Sequence, residues 1–282
     1  MNIQDFENSN IENICERLIT FLPTIANTII EDRTENGQFI INPDDPNEHV
    51  PIWHQFGIIT HTKFVLKVHQ TEASEYIDKW GIRLKINSKL QEEVDGKPKS
   101  ELILIGIILH DIGKFARNFK ENDGKMVFNF IGHEAMSEKL IKENKFIYNL
   151  LNQTLEYTEA QINYIARCAG LHFELGKARE AAKKTKLKYT IAFSESKECL
   201  ESCIEIATQF PKFKFEIGIL FLCDSLGKID VRIIAESDED IENLTPQIKQ
   251  VLAQRNLNPS LLSAIKQLPV NIAIAKRYLE NV

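Results

Sequence analysis

Three observations predict an all-α fold for this sequence. Apolar residues recur at helical spacing in several stretches, beginning with Ile11, Ile14, Leu18, Phe21 and Leu22. Helix-start signals stand before such stretches: Thr158-Glu159-Ala160-Gln161 fits a capping box, Ser100 suits an N-cap, and Ser237 precedes the acidic turn Asp238-Glu239-Asp240. Stretches that alternate apolar and polar residues are few, Phe213-Lys214-Phe215-Glu216-Ile217 being the main exception. With 282 residues, 43% of them hydrophobic and 26% charged, the chain can bury a sizeable core.

The first helix is expected from Ile11 to Ile30, interrupted or kinked at Pro23. From Glu31 to Pro51 the composition turns to Asn, Asp, Gly and Pro, with Asn42-Pro43-Asp44-Asp45-Pro46-Asn47 at its centre. This reads as a long loop, and loops of that length in globular proteins are often functional. A helix follows from Gln55 to Trp80, burying Phe56, Ile59, Phe64, Val68 and Ile77. Residues Ile82 to Lys99 are mixed and polar, with Asp95-Gly96-Lys97-Pro98 as a turn.

The run from Leu102 to Leu109 is apolar nearly throughout, so its period does not separate helix from buried strand. The scarcity of partner strands selects helix. A polar turn at Glu121-Asn122-Asp123-Gly124 lies between Phe115 and Phe130. Helices are then expected from His133 to Leu151, from Thr158 to Gly170, and around Ser194–Gln209, Phe213–Val231, Asp238–Ala253 and Pro259–Leu279. With no internal repeat and no flexible linker, one domain is the economical organisation. An N-terminal helix and loop (residues 1–50) would pack on a core (51–235) that the C-terminal helices (236–282) complete.

A net charge of −6 disfavours general electrostatic binding to nucleic acid or to an anionic membrane, and leaves room for a local basic site. Five scattered cysteines without a CxxC pair suit a reduced compartment rather than a disulfide framework. Cys199 and Cys203, four apart, read as helix-core residues rather than a metal pair. The opening residues Met1 to Asp5 show no signal-peptide pattern. No apolar run approaches the ~18 residues that span a bilayer. A cytoplasmic protein without a membrane partner is the expectation, and oligomeric state is left open.

His110 and Asp111 end the apolar run, where both are costly to bury without a partner. A divalent cation is the simplest such partner, since imidazole nitrogen and carboxylate oxygen both bind first-row metals. A His-Asp pair capping a buried helix is the alternative. Four of the seven histidines and two aspartates form an ordered series: His61 in Thr60-His61-Thr62, His110-Asp111, His133 in Gly132-His133-Glu134, His172 in Gly170-Leu171-His172, and Asp224 in Leu222-Cys223-Asp224-Ser225-Leu226-Gly227-Lys228.

In this series the chain resembles the HD-domain superfamily of metal-dependent phosphohydrolases, over about Trp53 to Asp230. The local pattern is most similar to the HD domain appended to bacterial tRNA nucleotidyltransferases. The residues carrying that likeness are Trp53-His54, His61-Thr62, Gly132-His133-Glu134 and Asp224 through Lys228. The nucleotidyltransferase head is absent, so nucleotide addition is not expected. The resemblance implies an HD-domain helical bundle with a metal centre in a central cleft. It implies one or two divalent ions (Mn, Fe, Ni, Co, Zn or Mg), held by His61, His110, Asp111, His133, His172 and Asp224. His61, His110, Asp111 and Asp224 would form one site, with Asp111 bridging to a second formed by His133 and His172. Such a pair clamps a phosphoryl group and activates water. Asp111 and Lys114 would be the catalytic residues.

Lys114, Arg117 and His54 would contact substrate, and His54 would share a helix face with His61 if the helix reached back one heptad. His54 could equally play a structural part at the helix start. His49 and His69 are expected at the surface. Glu134 is either a neighbour of the metal ligands or an ordinary N-terminal helix acid. The basic run Lys177, Arg179, Lys183, Lys184, Lys186 and Lys188 reads more readily as a solvated face than as a guide for a polyanion. The function implied is hydrolysis of a phosphomonoester or phosphodiester of a nucleotide or related small phosphate, with nucleic acid less favoured. The alternative is a metal-containing module that binds a nucleotide or RNA without turnover.

Overall fold

Helices make up nearly all the regular structure in the computed structural model, which describes residues 10–31, 42–116, 118–122, 125–187 and 189–282. In chain order they are α1 (Ile11–Glu31), α2 (Ile58–Gln70), α3 (Glu72–Lys79) and α4 (Arg83–Leu90), then the strands β1 (Glu93–Val94) and β2 (Lys97–Pro98). Next come α5 (Lys99–Leu109), β3 (Asn118–Asn122), β4 (Lys125–Asn129), α6 (His133–Glu143), α7 (Lys145–Asn149) and α8 (Glu159–Leu171). The rest is α9 (Ala178–Ala182), α10 (Ile191–Ser194), α11 (Lys197–Gln209), α12 (Lys214–Gly227), α13 (Asp238–Gln254) and α14 (Leu262–Asn281). The all-α prediction holds. Among the described residues the only strands are two antiparallel hairpins, β1–β2 and β3–β4. None of the helices is long and apolar enough to cross a membrane.

Several local expectations change. α1 runs through Pro23 without a break. The helix expected from Gln55 to Trp80 starts only at Ile58 and is divided at Thr71, whose backbone (φ −119°, ψ −95°) leaves the helical region. Ser100 lies inside α5, and Pro98 is the residue before that helix. The alternating stretch at Phe213–Ile217 opens α12, the helix expected there, and its alternation reflects no strand because Phe215 and Ile217 belong to a helix buried on nearly all sides. Asp95 and Gly96 both take positive φ (47° and 81°), the conformation of a tight two-residue hairpin turn. The capping box at Thr158 forms as expected, and Ser237, expected only to precede an acidic first turn, forms a capping box with Asp240.

The described residues fall into two units, each assembled from two stretches of chain. The first comprises Met1–Pro43 with Asn87–Leu171. In it α5 packs against α1 and α8, burying Leu102, Ile103, Ile105, Ile107, Ile108 and Leu109. That environment on every side explains why its sequence lacks a polar face. α6 packs on α8 and on the 3₁₀ turn Ile112–Ala116 that follows α5. Gln161 at the start of α8 donates through its amide to the Val94 and Asp95 carbonyls, tying the β1–β2 hairpin down.

The second unit comprises Asp44–Ile86 with His172–Val282. α12 is its central helix, packed against α2 and α14 and buried from Phe215 to Gly227. A further apolar layer of Ile229, Val231, Ile248, Leu252, Leu261, Ala264 and Ile265 joins α13 to the start of α14. Arg232 fastens the segment after α12 to α3 through Glu72, with Nε 2.6 Å from Oε2.

Candidate functional site

Each unit holds one cluster of buried polar side chains. Together the two clusters contain every sequence-predicted site residue except Arg117, which lies outside the described residues. In the first unit α5 ends at Leu109, and His110 continues in helical conformation as its C-terminal cap. The His110 Nδ1–H donates to the Ile107 carbonyl (2.6 Å), since a carbonyl can only accept. That bond orients the ring so that Nε2 faces Asp111 Oδ2 at 3.3 Å. His133, the first residue of α6, repeats the device: its Nδ1–H donates to the Phe130 carbonyl (2.8 Å), and Nε2 lies 3.3 Å from Asp111 Oδ1. The two oxygens of Asp111 thus face different histidines. Lys114, also buried, places Nζ 2.6 Å from Asp111 Oδ2. Glu134 Oε2 lies 3.4 Å from His133 Nδ1.

Gly132 precedes α6 with φ 79°, a left-handed backbone that suits glycine, and so turns the chain to present His133. Ser137, one turn into α6, donates to the His110 carbonyl (2.6 Å) and accepts from Gly113 N–H (2.8 Å). Sequence reasoning missed Ser137, because a buried serine one turn beyond a helix start carries no pattern of its own. The same contact explains Gly113. A Cβ there would stand 2.1 Å from the His133 carbonyl oxygen and 2.7 Å from Ser137 N. Gly113→Ala is therefore expected to lower stability by about 1–3 kcal/mol or more, the range for overpacking a tight core. A urea midpoint equal to that of the wild type would contradict the close approach.

In the second unit His61 on α2 is fully buried and donates Nδ1–H to the Gly227 carbonyl (3.1 Å). Its Nε2 faces Asp224 Oδ1 at 3.2 Å. Lys228, four residues after Asp224 and 17% exposed, places Nζ 2.8 Å from Oδ2. The i, i+4 spacing of Asp224 and Lys228 was the available signal for that pair. His172 is buried directly after α8, and its charge also acts on Asp224.

His54 lies in the loop before α2, so the heptad argument that paired it with His61 fails. Its ring is nevertheless 4.9 Å from that of His61, edge to face. His49, expected at the surface, is fully buried, stacked on His54 with centroids 3.8 Å apart. Its Nδ1–H donates to the Phe56 carbonyl (2.8 Å). The loop that carries both is anchored by Asp44, which accepts from the Thr60 backbone N–H (2.7 Å) and hydroxyl (2.8 Å) at the start of α2. His69 is also not a free surface group: burial pushes its pKa down to about 4.

Burial alone would raise both aspartates, yet both sit well below the usual carboxylate range. His110 and Lys114, with the hydrogen bonds of His110 and His133, hold Asp111 down. Lys228, His61 and His172 do the same for Asp224. Both are acceptors at neutral pH, and each faces imidazole nitrogens whose other nitrogen already carries the proton. Two acceptors about 3.3 Å apart repel unless a proton or a cation lies between them. These His and Asp groups are of the kind that could hold a metal ion, and the chemistry of the donor set fits a divalent one.

The basic run does not form a continuous cationic face. Lys177 pairs with Glu174 (2.6 Å) and Lys183 with Glu180, and both lysines are exposed. Lys184 lies in a depression of about 420 Å³ lined also by Glu174, Glu180, Glu198, Glu201 and Glu205. Lys188 lies outside the described residues. Cys199 and Cys203 are buried on α11, as expected of core residues.

No curated protein matches the chain. Residues 68–198 match the family model of the HD domain. The matched stretch includes His110, Asp111, His133 and His172; His61 and Asp224 lie on either side of it. The all-helical fold and this match, which takes in the His-Asp pair, support membership of the HD-domain superfamily.

Proposed function

We propose that the protein is a divalent-metal-dependent phosphohydrolase acting on a small phosphate ester, either a nucleotide or a short phosphodiester. One observation carries the reading. His61, His110 and His133 each spend Nδ1–H on a main-chain carbonyl and turn Nε2 toward an ionised aspartate at 3.2–3.3 Å. This is how proteins fix the tautomer and orientation of a histidine that ligates metal. His61, His110, Asp111, His133, His172 and Asp224 are the proposed ligands, and the separate partners of the two Asp111 oxygens support its bridging role. Ions held there would supply activated water and counter-charge for the phosphoryl oxygens. Lys114, paired with Asp111, would neutralise phosphate charge at the same carboxylate, and His54 would bound the substrate beside His61.

The acidic residues interleaved with the lysines of residues 177–188 support a small substrate over a long nucleic acid. The test is chelator-treated protein, reloaded with Mn, Fe, Co, Ni, Zn or Mg and offered a panel of phosphomonoesters, phosphodiesters and nucleotides. Turnover of at least one small ester is expected with at least one metal, with a shallow dependence on salt. A polymer held through 6–10 phosphates would instead weaken by roughly 10³–10⁵ between 50 and 200 mM salt. If that steep slope disappears when Lys183, Lys184, Lys186 and Lys188 are changed to Gln, the substrate is nucleic acid. Tight nucleotide binding in the presence of metal, with no ester turned over, would mark a binding module.

A further inference from the structure

We propose that Arg179, with Phe173 and Lys228, forms an anion subsite for a phosphate group other than the one cleaved. The proposed substrate therefore carries a second phosphate. The inference rests on the phosphohydrolase reading for what the anion belongs to, and on the second unit alone for its geometry.

Arg179 lies on α9 and is half-buried. Its Nη1 donates to Gln267 Oε1 (3.1 Å) and Asn271 Oδ1 (3.4 Å), and its Nε to the Gly176 carbonyl (3.5 Å). All three acceptors are neutral. Among the described residues no carboxylate accepts from this guanidinium, and Nη2 makes no hydrogen bond. Asp224 and Glu180 support its charge only through space, against a burial that disfavours it. A partly buried cation without an ion-pair partner is costly, and the cost is offset where the missing partner is a ligand.

The surroundings point to phosphate. Phe173, directly after His172, has the Arg179 Cζ 5.2 Å from its ring centroid and Lys228 Nζ at 4.8 Å. One aromatic ring thus holds two cations in position, and one of them is the lysine bound to Asp224. Asn271, which accepts from Arg179, donates in turn to Ser225 Oγ (3.2 Å), the residue next to Asp224. A hydrogen-bonded path therefore fixes the guanidinium relative to that aspartate. The fork of Nε and Nη groups suits the planar, two-pronged recognition of phosphate oxygens. The bland alternative is a strut, with Arg179 merely tying α9 to α14.

Pyrophosphate binding to chelator-treated protein, measured by calorimetry, separates the two roles without metal or turnover. Arg179→Gln should weaken binding at least tenfold, and Arg179→Lys should restore part of it. The decisive variant is Gln267→Glu. It is isosteric and places a carboxylate 3.1 Å from Nη1, so it keeps Arg179 in place while occupying its charge. It should retain or raise the melting temperature and still weaken pyrophosphate as Arg179→Gln does. Lys184→Gln should bind like the wild type.

In turnover, Arg179→Gln should raise KM for an ester bearing a second phosphate and leave p-nitrophenyl phosphate largely unchanged. Wild-type protein that does not bind pyrophosphate, or a Gln267→Glu variant that binds it unchanged, overturns the subsite. If pyrophosphate binding falls as expected but no ester is ever hydrolysed, the subsite stands and the phosphohydrolase reading fails.

Discussion

Asp111→Ala is expected to lower metal-stimulated turnover of a phosphate ester by several orders of magnitude. The side chain is the shared partner of His110 Nε2, His133 Nε2 and Lys114 Nζ, at 3.3, 3.3 and 2.6 Å. Its loss removes the proposed bridge and the negative charge that the neighbouring groups were arranged around. It also leaves the buried Lys114 ammonium without its carboxylate, and breaking one side of a buried ion pair costs about 3–5 kcal/mol. Asp111→Asn, nearly isosteric, separates the two effects, because it keeps the shape while losing the charge. Both variants should be inactive, the Asn form with near-native circular dichroism and with metal content well below the wild-type value. Activity of either within tenfold of wild type would remove Asp111 from the chemistry.

The second large effect is on stability. Adding a divalent metal to chelator-treated protein should raise its melting temperature, since a ligand bound only by the folded state stabilises it. At a free metal concentration of 100 times Kd the gain is about 2.7 kcal/mol. For a chain of this size that corresponds to roughly 5–10 °C, at about 2–4 °C per kcal/mol. The increase should shrink in His61→Ala and in Asp224→Asn.

The metal-free protein should also show a directed pH dependence. Asp111 and Asp224 are both held below the ordinary carboxylate range. Their contribution is therefore complete above the unfolded-state value of about 4, and is lost as pH falls further toward the folded-state values. Melting temperature measured from pH 7 down to 3 should drop along that acid limb, less steeply in Asp224→Asn. A flat profile in the wild type would contradict the depressed carboxylates. No change on adding any of the metals would count against the proposed centre.

The helical class, the order of the main helices, the cap at Thr158 and the His110-Asp111 pair were legible in the residues, and the wider set of candidate ligands came from the resemblance to a known family. Each of the former depends on neighbours within about one turn, or on residue types that are costly to bury without a partner. His110-Asp111 is the clearest case, because the expense of placing both at the end of an apolar run is visible before any fold is known.

The remaining features depend on packing between distant parts of the chain. His49 looked like a surface residue because it sits in a polar loop. Asp44 pins that loop to the start of α2, and the His49 ring is buried against His54. His54 meets His61 through that loop and not through a helical heptad, since α2 begins only at Ile58. Ser137, Lys228 and Arg179 acquire their roles from what they face: the His110 carbonyl, the Asp224 carboxylate, and a pair of neutral amides. The orientation of each histidine was likewise beyond sequence reasoning. A distant or neighbouring carbonyl, from Gly227, Ile107 or Phe130, takes the Nδ1 proton, and that hydrogen bond leaves Nε2 facing an aspartate. Residue type states which atoms can bind a cation; the packing of the backbone decides which of them remain available to do so.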